Sequence, residues 1–502
     1  MLKKIKLEIS AHKFIYFTLS IILIAGFFIR VYRLPQILGF YFDQGRDALV
    51  IWDLIHSHKF FLIGPTTGLA GIFRGPYYYY LLAPFYWLGH GDPVWPSVFL
   101  GLTTVIAIGF IYYLGYKIQN RATGIIAVII ASFSFYIVLA SRWLSNPTPM
   151  LLLSMVLVWA MLKVTEGHRW AWPVIALVSG LSLFNFGSSG EFFYLPAISI
   201  FFIWQWKNKP DNKNFIISVL LFTLTFAPLV LFDMKHDHIL LYNFTSTFGE
   251  SSFKKVTKFI FEERTKFYLD VFTNKIYESR GKYETYTLLA VAISFFFFLP
   301  KFFKNKGIKI LLLLLISPII GLYFYQGNYA VVYDYYMTGY YLIFILLFAI
   351  VLGRLWQFKV GKIFVIYFLY LFLTNNLNVI KYKLSDKADS PQSIAFINQK
   401  QAIDWIYQDV GNKDFNVDVY VPPVIPYAYD YLFKWYGGVL HGREPDPNRT
   451  KVLYTLYEID PPHPERLNAW LARQKGIGKV QTTMHFGGIT VERKERLNGK
   501  NN

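Results

Sequence analysis

The chain has 502 residues, of which 54% are hydrophobic, 20% aromatic and 16% charged, whereas soluble domains carry about 25% charged residues, so the composition points to lipid as a principal solvent. The absence of cysteine excludes disulfides, thiolate metal sites and a cysteine nucleophile. A net charge of +19 would suit nucleic acid, but its distribution along the chain argues otherwise.

A membrane helix needs about 20 mostly apolar residues. Eleven runs qualify, near 14–32, 93–116, 122–141, 145–162, 170–187, 191–206, 215–232, 285–300, 308–325, 336–353 and 363–380. The first follows Lys3, Lys4, Lys6 and Lys13 and is too long for the apolar core of a signal peptide. No small-residue cleavage site follows it, so it reads as a retained helix. Lys and Arg favour the cytoplasmic side in short loops. With the N-terminus inside, segments 1–13, 117–121, 163–169, 207–214, 301–309 and 354–362 lie inside and hold 18 Lys/Arg against Glu8, Glu166 and Asp211. Outer segments 142–148 and 326–335 hold only Arg142 and Asp334 as charges, and loop 233–284 is nearly balanced. Most of the positive charge is therefore topology signal, and no nucleic-acid partner is expected.

The same count places a doubtful segment. Residues 76–89, PYYYYLLAPFYWLG, are apolar but short, and counting them as a span would move every later basic loop outside. They read instead as a helix in the outer interface, where Tyr and Trp prefer to sit. An odd number of spans then puts the tail on the outer side of what is expected to be the plasma membrane.

Between the first two runs lies an outer loop, 33–92. FDQGRDALVIWDLIHSHKFF reads as a short amphipathic helix starting just after Asp43, with Leu49, Ile51, Trp52 and Ile55 toward the membrane or the bundle. Asp43 stands where a helix N-cap is favoured. Asp47, one turn on, is placed to influence the titration of Asp43, to share a cation with it, or to pair with Arg46. A Gly/Pro-punctuated stretch, IGPTTGLAGIFRGP, leads to the interfacial helix, with Pro76 suited to its first turn. Arg46 and Arg74 suit a phosphate bidentately, or serve as interfacial anchors.

Further candidates lie beyond this loop. Arg142 is a lone basic residue in a short outer loop and calls for a partner, either a lipid phosphate or a structural ion pair. FDMKHDH, 232–238, offers Lys235 and His236 to a phosphate. His236 with Asp43 and Asp47 makes the candidate set for a divalent metal ion, although the spacing matches no recognised metal motif. Glu191, in GSSGEFF, is an ionisable residue at membrane depth and so a functional candidate by default. Tyr333, Asp334, Tyr335 and Tyr336 make an outer aromatic cluster that suits sugar rings and prenyl chains, and equally an aromatic belt.

The order of these features resembles the GT-C glycosyltransferases: one span, an acidic motif soon after it, a surface helix, then a basic residue and a proline opening a Tyr-rich helix. By pattern the resemblance is to the protein O-mannosyltransferases and the lipid A aminoarabinose transferases. The match falls on Asp43 of FDQGRDA, where that group usually has Asp-Glu and this chain has Gln44. Arg74-Gly75-Pro76-Tyr77-Tyr78 is similar to the group's His/Lys-Pro-Pro-Leu-Tyr-Tyr segment. ASRWLSNPTP, 140–149, resembles the arginine-containing outer end of its third span, with Asn146 where an aspartate is common.

The resemblance implies a polytopic α-helical GT-C-like domain over 1–380, with catalytic loop 33–92 and a covering loop 233–284 of amphipathic helices. It also implies a polyprenyl-phosphate sugar donor, a glycan, lipid or protein acceptor in the cell envelope, and an essential role for Asp43. Polyprenyl phosphate is a good leaving group, so the acceptor needs the help: a carboxylate takes its proton as it attacks. The sugar passes through an oxocarbenium-like state, and a single displacement inverts the anomeric centre. A transporter or flippase of lipid-linked glycan is the main alternative, and would favour internal repeats and mid-membrane charges. No repeat is evident, and the ionisable residues gather at one membrane face. The departures at Gln44 and Asn146 keep a non-catalytic scaffold open.

The tail, 381–502, reads as a small α/β domain. SPQSIAFINQKQAIDWIYQDV has helical apolar spacing, while VDVYVPP, KVLYTLYEI and GGITVER alternate as strands do. It has no phosphate loop and no catalytic constellation, so an accessory role in acceptor binding or stability is expected.

Overall fold

Among the described residues, seven helices are long and apolar enough to cross a membrane: Lys13–Ile37, Val94–Ile118, Asn212–Lys235, Lys282–Phe302, Lys306–Phe324, Asp334–Leu355 and Lys359–Ser385. Arg121–Phe133 and Phe135–Arg142 form a broken span bent by 61°, and Met150–Thr165, Ala171–Phe186 and Ser189–Trp204 are shorter apolar helices. Together they coincide with the eleven apolar runs of the sequence. The computed structural model describes residues 8–67, 71–250, 256–325, 331–385, 390–422 and 425–497.

Composition sorts the helices into layers. Asp334–Leu355 is apolar on every side, and 94% of its most hydrophobic stretch is buried, so it forms the centre of the bundle. Asn212–Lys235 is equally apolar but almost unburied, turning Phe215, Leu220 and Leu224 outward as a lipid-facing helix would. Glycines set one close crossing: a Cβ on Gly115 would lie 2.9 Å from the Gly124 Cα, so the second span and the broken span meet backbone to backbone.

A bend inside lipid must satisfy the backbone groups it frees. At the Ser134 break the Phe135 N–H donates to Asn376 Oδ1 (2.8 Å), and Asn376 Nδ2 donates to the Ile276 and Phe372 carbonyls. Asn376 is fully buried. Replacing it by leucine strands the Phe135 N–H and is expected to cost about 1–3 kcal/mol, read as a lower melting temperature of the purified protein.

Two helices occupy the loop after the first span, α1 (Phe42–His56) and α2 (Tyr77–Leu88). Loop 233–284 contains helices Ile239–Glu250 and Lys258–Asn274. After the last span come α3 (Phe396–Val410), α4 (Tyr427–Leu432) with a π-helical continuation to Leu440, and α5 (Pro464–Arg473). They flank strands β1 (Phe415–Tyr420), β2 (Val452–Glu458), β3 (Gly478–Phe486) and β4 (Ile489–Arg496) in the order β1-β2-β4-β3. The β1–β2 pair is parallel and the others antiparallel. Three of these strands match the alternating runs. The edge strand β3, GKVQTTMHF, was not singled out in the sequence; it is exposed along most of its length.

This mixed domain grips the first loop at both ends. Gln399 Nε2 donates to the Phe40 carbonyl (3.0 Å) and Tyr41 Oη to the Ile394 carbonyl (3.1 Å). At the far end Tyr431 Oη donates to the Gly91 carbonyl and Trp435 Nε1 to that of His90 (2.8 Å). Between them α4 lies directly on α1: a Cβ on Gly45 would sit 2.3 Å from the Ala428 nitrogen.

Beneath this contact Glu458 is buried and accepts from Tyr429 Oη (2.8 Å). Burial pushes its carboxyl up to about 7, against the pull of the Tyr429 and Gln399 hydrogen bonds. An acid raised on folding binds more protons native than unfolded, so stability is full below the unfolded value and falls as pH rises toward 7. The melting temperature is therefore expected to drop between pH 5 and 7.5, and Glu458→Gln to flatten that slope.

Candidate active site

Residues 43, 46 and 47 share one face of α1 at i, i+3 and i+4. Arg46 Nη1 stands 2.9 Å from Asp43 Oδ1, and its Nη2 and Nε lie 2.8 and 3.0 Å from Asp47 Oδ1. Arg46 Nη1 also donates to Thr66 Oγ1, and Tyr79 Oη donates to Asp47 Oδ1 (3.2 Å). The two acids differ sharply in setting. The Asp43 side chain is 57% exposed and that of Asp47 only 9%. Burial raises Asp47 to about 6 although the Arg46 charge pulls it down. Burial would lower Arg46, but the Asp47 and Asp43 charges outweigh it and hold the guanidinium above its usual range.

The helix starts two residues earlier than its composition suggests. Tyr41 is the N-cap, so Asp43 lies in the first turn and caps nothing. Gln44 does that work instead: Oε1 accepts from the Tyr41 N–H (3.2 Å), while Nε2 donates to the Leu144 carbonyl (3.1 Å). Gln44 thus ties α1 to the loop between the broken span and Met150.

Asp43, Arg46 and Asp47 line a polar cavity of about 140 Å³ with Arg74, Asn146 and, between them, Thr66, Thr67, Ser145, Ser188 and Ser189. Trp143, Tyr335 and Tyr336 add aromatic walls. Arg74 reaches it from a narrow fold of chain in which the Gly64 N–H donates to the Arg74 carbonyl (2.6 Å) and the Arg74 N–H to that of Pro65 (2.9 Å). Glycine is required there, since a Cβ on Gly64 would lie 2.1 Å from the Gly75 carbonyl oxygen. Arg74 Nη1 donates to the Leu183 carbonyl (3.1 Å). Burial draws Arg74 below its usual range, with the Glu191 charge opposing.

Residues 73–232 match the family described as dolichyl-phosphate-mannose-protein mannosyltransferase. The fold is similar to that of ArnT from Cupriavidus metallidurans bound to undecaprenyl phosphate, with a TM-score of 0.62 at 9% identity over 96% of this chain and 98% of that one. It is also similar to the archaeal oligosaccharyltransferase AglB from Archaeoglobus fulgidus in complex with an inhibitory peptide and a dolichol-phosphate, with a TM-score of 0.50 at 11% identity over 97% and 75%. By fold, the chain is similar to these two membrane proteins over nearly its whole length. Comparison with curated proteins gave no significant sequence match.

Several candidate residues lie outside the cavity. Glu191 is buried, but both oxygens are spent on backbone: Oε2 accepts from the Ser188 N–H (2.6 Å) and Oε1 from that of Gly339 (2.9 Å). It braces the Ser188–Ser189 turn rather than facing the cavity. Tyr77 donates to the Leu224 carbonyl (2.7 Å), and its neighbour Tyr79 is the tyrosine that reaches Asp47. Tyr333 stacks behind Tyr335, ring centroids 5.5 Å apart, as a second layer. Lys235 and His236 sit exposed at a helix junction, where Asp233 accepts from the Leu240 and Leu241 N–H groups. His236 stacks on Phe232 and does not join Asp43 and Asp47. Between those two acids the Arg46 guanidinium stands where a shared cation would. Arg142 is in no ion pair among the described residues. Its Nη1 donates to the Ile29, Arg30 and Tyr32 carbonyls, closing the end of the first span.

The sequence reading passed over Trp143, Ser145, Ser188, Ser189 and Tyr79. The two serines stand in the same GSSGEFF that drew attention to Glu191. Trp143 and Ser145 stand in ASRWLSNPTP and Tyr79 in the Tyr-rich helix, but only the packing of α1 against α2 and the 143–149 loop brings them together.

Proposed function

We propose that the chain is an inverting glycosyltransferase that moves a sugar from a polyprenyl-phosphate donor to an extracytoplasmic acceptor, with Asp43 as general base. The carrying observation is the pairing of an exposed carboxylate and a cation across one small polar cavity, Asp43 on one wall and Arg74 on another. Arg74, with the Ser188 and Ser189 hydroxyls, takes the donor phosphate, since a guanidinium matches phosphate oxygens bidentately. Asp43, held at one oxygen by Arg46, takes the acceptor proton as the acceptor oxygen attacks the anomeric carbon from the face opposite the departing phosphate. Trp143 and Tyr335 offer ring faces to the sugar. The lipid phosphates named for ArnT and AglB support a donor of this class. In this reading the N-terminus is cytoplasmic, and the cavity and the C-terminal domain lie on the outer face of the plasma membrane.

The test is sugar release by the full-length protein in liposomes from a panel of polyprenyl-phosphate sugars with cell-envelope acceptors. Arg74→Gln is expected to raise the donor KM about 10- to 100-fold, as loss of a charge-assisted phosphate contact does, and the product anomer is expected to be inverted by NMR. An unchanged KM would remove Arg74 from the phosphate site, and a retained anomer would replace the single displacement by a covalent route.

Asp47 gives this reading a pH signature. Ionised, it shares Arg46 with Asp43; protonated, it releases Arg46 to pair with Asp43 alone and masks the base. With Asp47 at about 6, kcat/KM is expected to rise with pH through a break near 6, and Asp47→Asn to abolish that break. A flat profile in the native protein would dismiss the coupling.

A further inference from the structure

Contiguous apolar side chains that stay exposed mark an interaction surface. On the span Val94–Ile118, Trp95, Leu102 and Ile106 are exposed and recur at i, i+7 and i+11, so they form one outward stripe that faces lipid. The stripe does not stop where the span begins. Trp95 lies against the end of α2, where a Cβ on Gly89 would sit 2.4 Å from its ring. There α2 ends in Trp87 and Leu88, both exposed, Trp87 to 65%. Those two residues share the wall of a cavity of about 560 Å³ with Val439 of the C-terminal domain. Val439 and Leu440 end the π-helical continuation of α4 and are exposed in turn, Leu440 to 62%. The apolar surface thus runs from the span, over the end of α2, to the C-terminal domain.

This tip of the domain is held in place. Trp435 Nε1 donates to the His90 carbonyl and Tyr431 Oη to that of Gly91, just before the span begins. Beyond Leu440, His441 Nε2 meets Asp404 Oδ1 at 2.9 Å, and its ring stacks on Tyr407, centroids 4.4 Å apart. Gly437 packs on the Tyr407 hydroxyl, where a Cβ would lie 2.2 Å from the oxygen, and Gly442 turns the chain at φ 75°. Two aliphatic side chains on a pinned tip need little further ordering when they bind. The segment itself, FKWYGGVL, has no acid and carries one charge, Lys434, which faces Asp53 of α1 at 3.7 Å. Aromatic rings followed by an uncharged aliphatic end suit the interfacial layer of a bilayer.

We propose that the Val439–Leu440 tip is a membrane anchor of the C-terminal domain, and that its partner is the lipid surface. With Trp87, Leu88 and Trp95 it enters the interfacial layer beside the start of the span Val94–Ile118. The bilayer thereby adds to the Tyr431 and Trp435 contacts that hold the domain on the first loop. The anchor stands apart from the reaction proposed above and uses none of its residues.

The chain has no cysteine, so Leu440→Cys provides a single labelling site. The full-length protein, labelled there with a nitrobenzoxadiazole fluorophore, is placed in phosphatidylcholine nanodiscs with and without lipid that carries a nitroxide just below the headgroup. Blue-shifted emission and quenching by the nitroxide lipid are expected. The same label at Thr483→Cys, exposed on edge strand β3, is expected to show neither. Adding Val439→Asp to Leu440→Cys is expected to lift the tip and return both signals to the level of the Thr483 label. Equal emission and quenching at the two labelled sites overturns the proposal. A blue shift without quenching overturns it too, by giving the tip to a protein partner. Quenching that survives Val439→Asp also overturns it, because the tip would then lie near lipid without anchoring there. None of these readings depends on sugar transfer.

Discussion

Asp43→Asn is expected to lower the rate of sugar transfer about 10²- to 10⁴-fold, the range supplied by a positioned general base, while leaving folding and donor binding intact. The separation is possible because Asp43 has little structural duty. It caps no helix, its side chain is 57% exposed, and Arg46 keeps its ion pair with Asp47 when that with Asp43 is weakened. Asparagine keeps the size and an oxygen for Arg46 and loses only the ability to take a proton. Asp47→Asn is the control that a purely electrostatic role would fail. Asp47 is buried and holds Arg46 and Tyr79, so its loss should lower the melting temperature as well as the rate. Transfer rate and melting temperature are measured together on liposome-reconstituted and detergent-purified protein. Equal transfer by Asp43→Asn and the native chain would remove Asp43 as the base and direct attention to Asp47.

The membrane architecture was legible in the sequence because lipid imposes a strong rule. A span must be apolar for most of its length, and the eleven runs fall on helices of the structure. Residues 76–89 were set apart from the spans by their short length and by the charge count, and they form the short helix α2. The site was legible only where its residues share a helix. Asp43, Arg46 and Asp47 are neighbours by helical spacing, whereas Arg74, Ser188 and Tyr335 reach the same cavity from three separate segments.

Side-chain roles were harder to read than positions. Gln44 and Asn146 stand where related proteins often have acids, which suggested lost function. Here both amides serve carbonyls, Gln44 that of Leu144 and Asn146 that of Phe186 (3.3 Å), and so hold loops that an acid could not hold in the same way. Glu191 looked functional as an ionisable residue at membrane depth, and Arg142 as a lone basic residue in a short outer loop. One is spent entirely on backbone N–H groups, and the other largely on backbone carbonyls. Sequence identifies the cost of such a group; which partner meets it is decided by the tertiary fold.

The C-terminal domain drew least attention in the sequence, and its contacts with the first loop lead to the second large effect: Tyr431→Ala is expected to destabilise the protein by about 3–5 kcal/mol, as loss of a buried aromatic does, and to depress kcat. Tyr431 is completely buried and packs its ring near Phe40, Trp52 and Tyr86, at centroid distances of 5.7, 6.1 and 6.2 Å. Those three residues belong to the approach to α1, to α1 itself and to α2, so one side chain fixes three parts of the loop that carries Asp43. Its hydroxyl holds the Gly91 carbonyl, and Gly45 meets Ala428 backbone to backbone two residues from Asp43. Removing the ring loosens α1 where Asp43 must be placed against the acceptor, whereas Arg74 is held by Leu183 and the Gly64–Gly75 fold, away from this contact. The expected pattern is therefore a fall in kcat with little change in donor KM. Tyr431→Phe keeps the ring, leaves the Gly91 carbonyl without that donor, and is expected to cost only about 1 kcal/mol. If Tyr431→Ala raised donor KM and spared kcat, the domain would act on the donor side rather than on the base. An unchanged melting temperature and unchanged kinetics would mean that the loop keeps its shape without the domain.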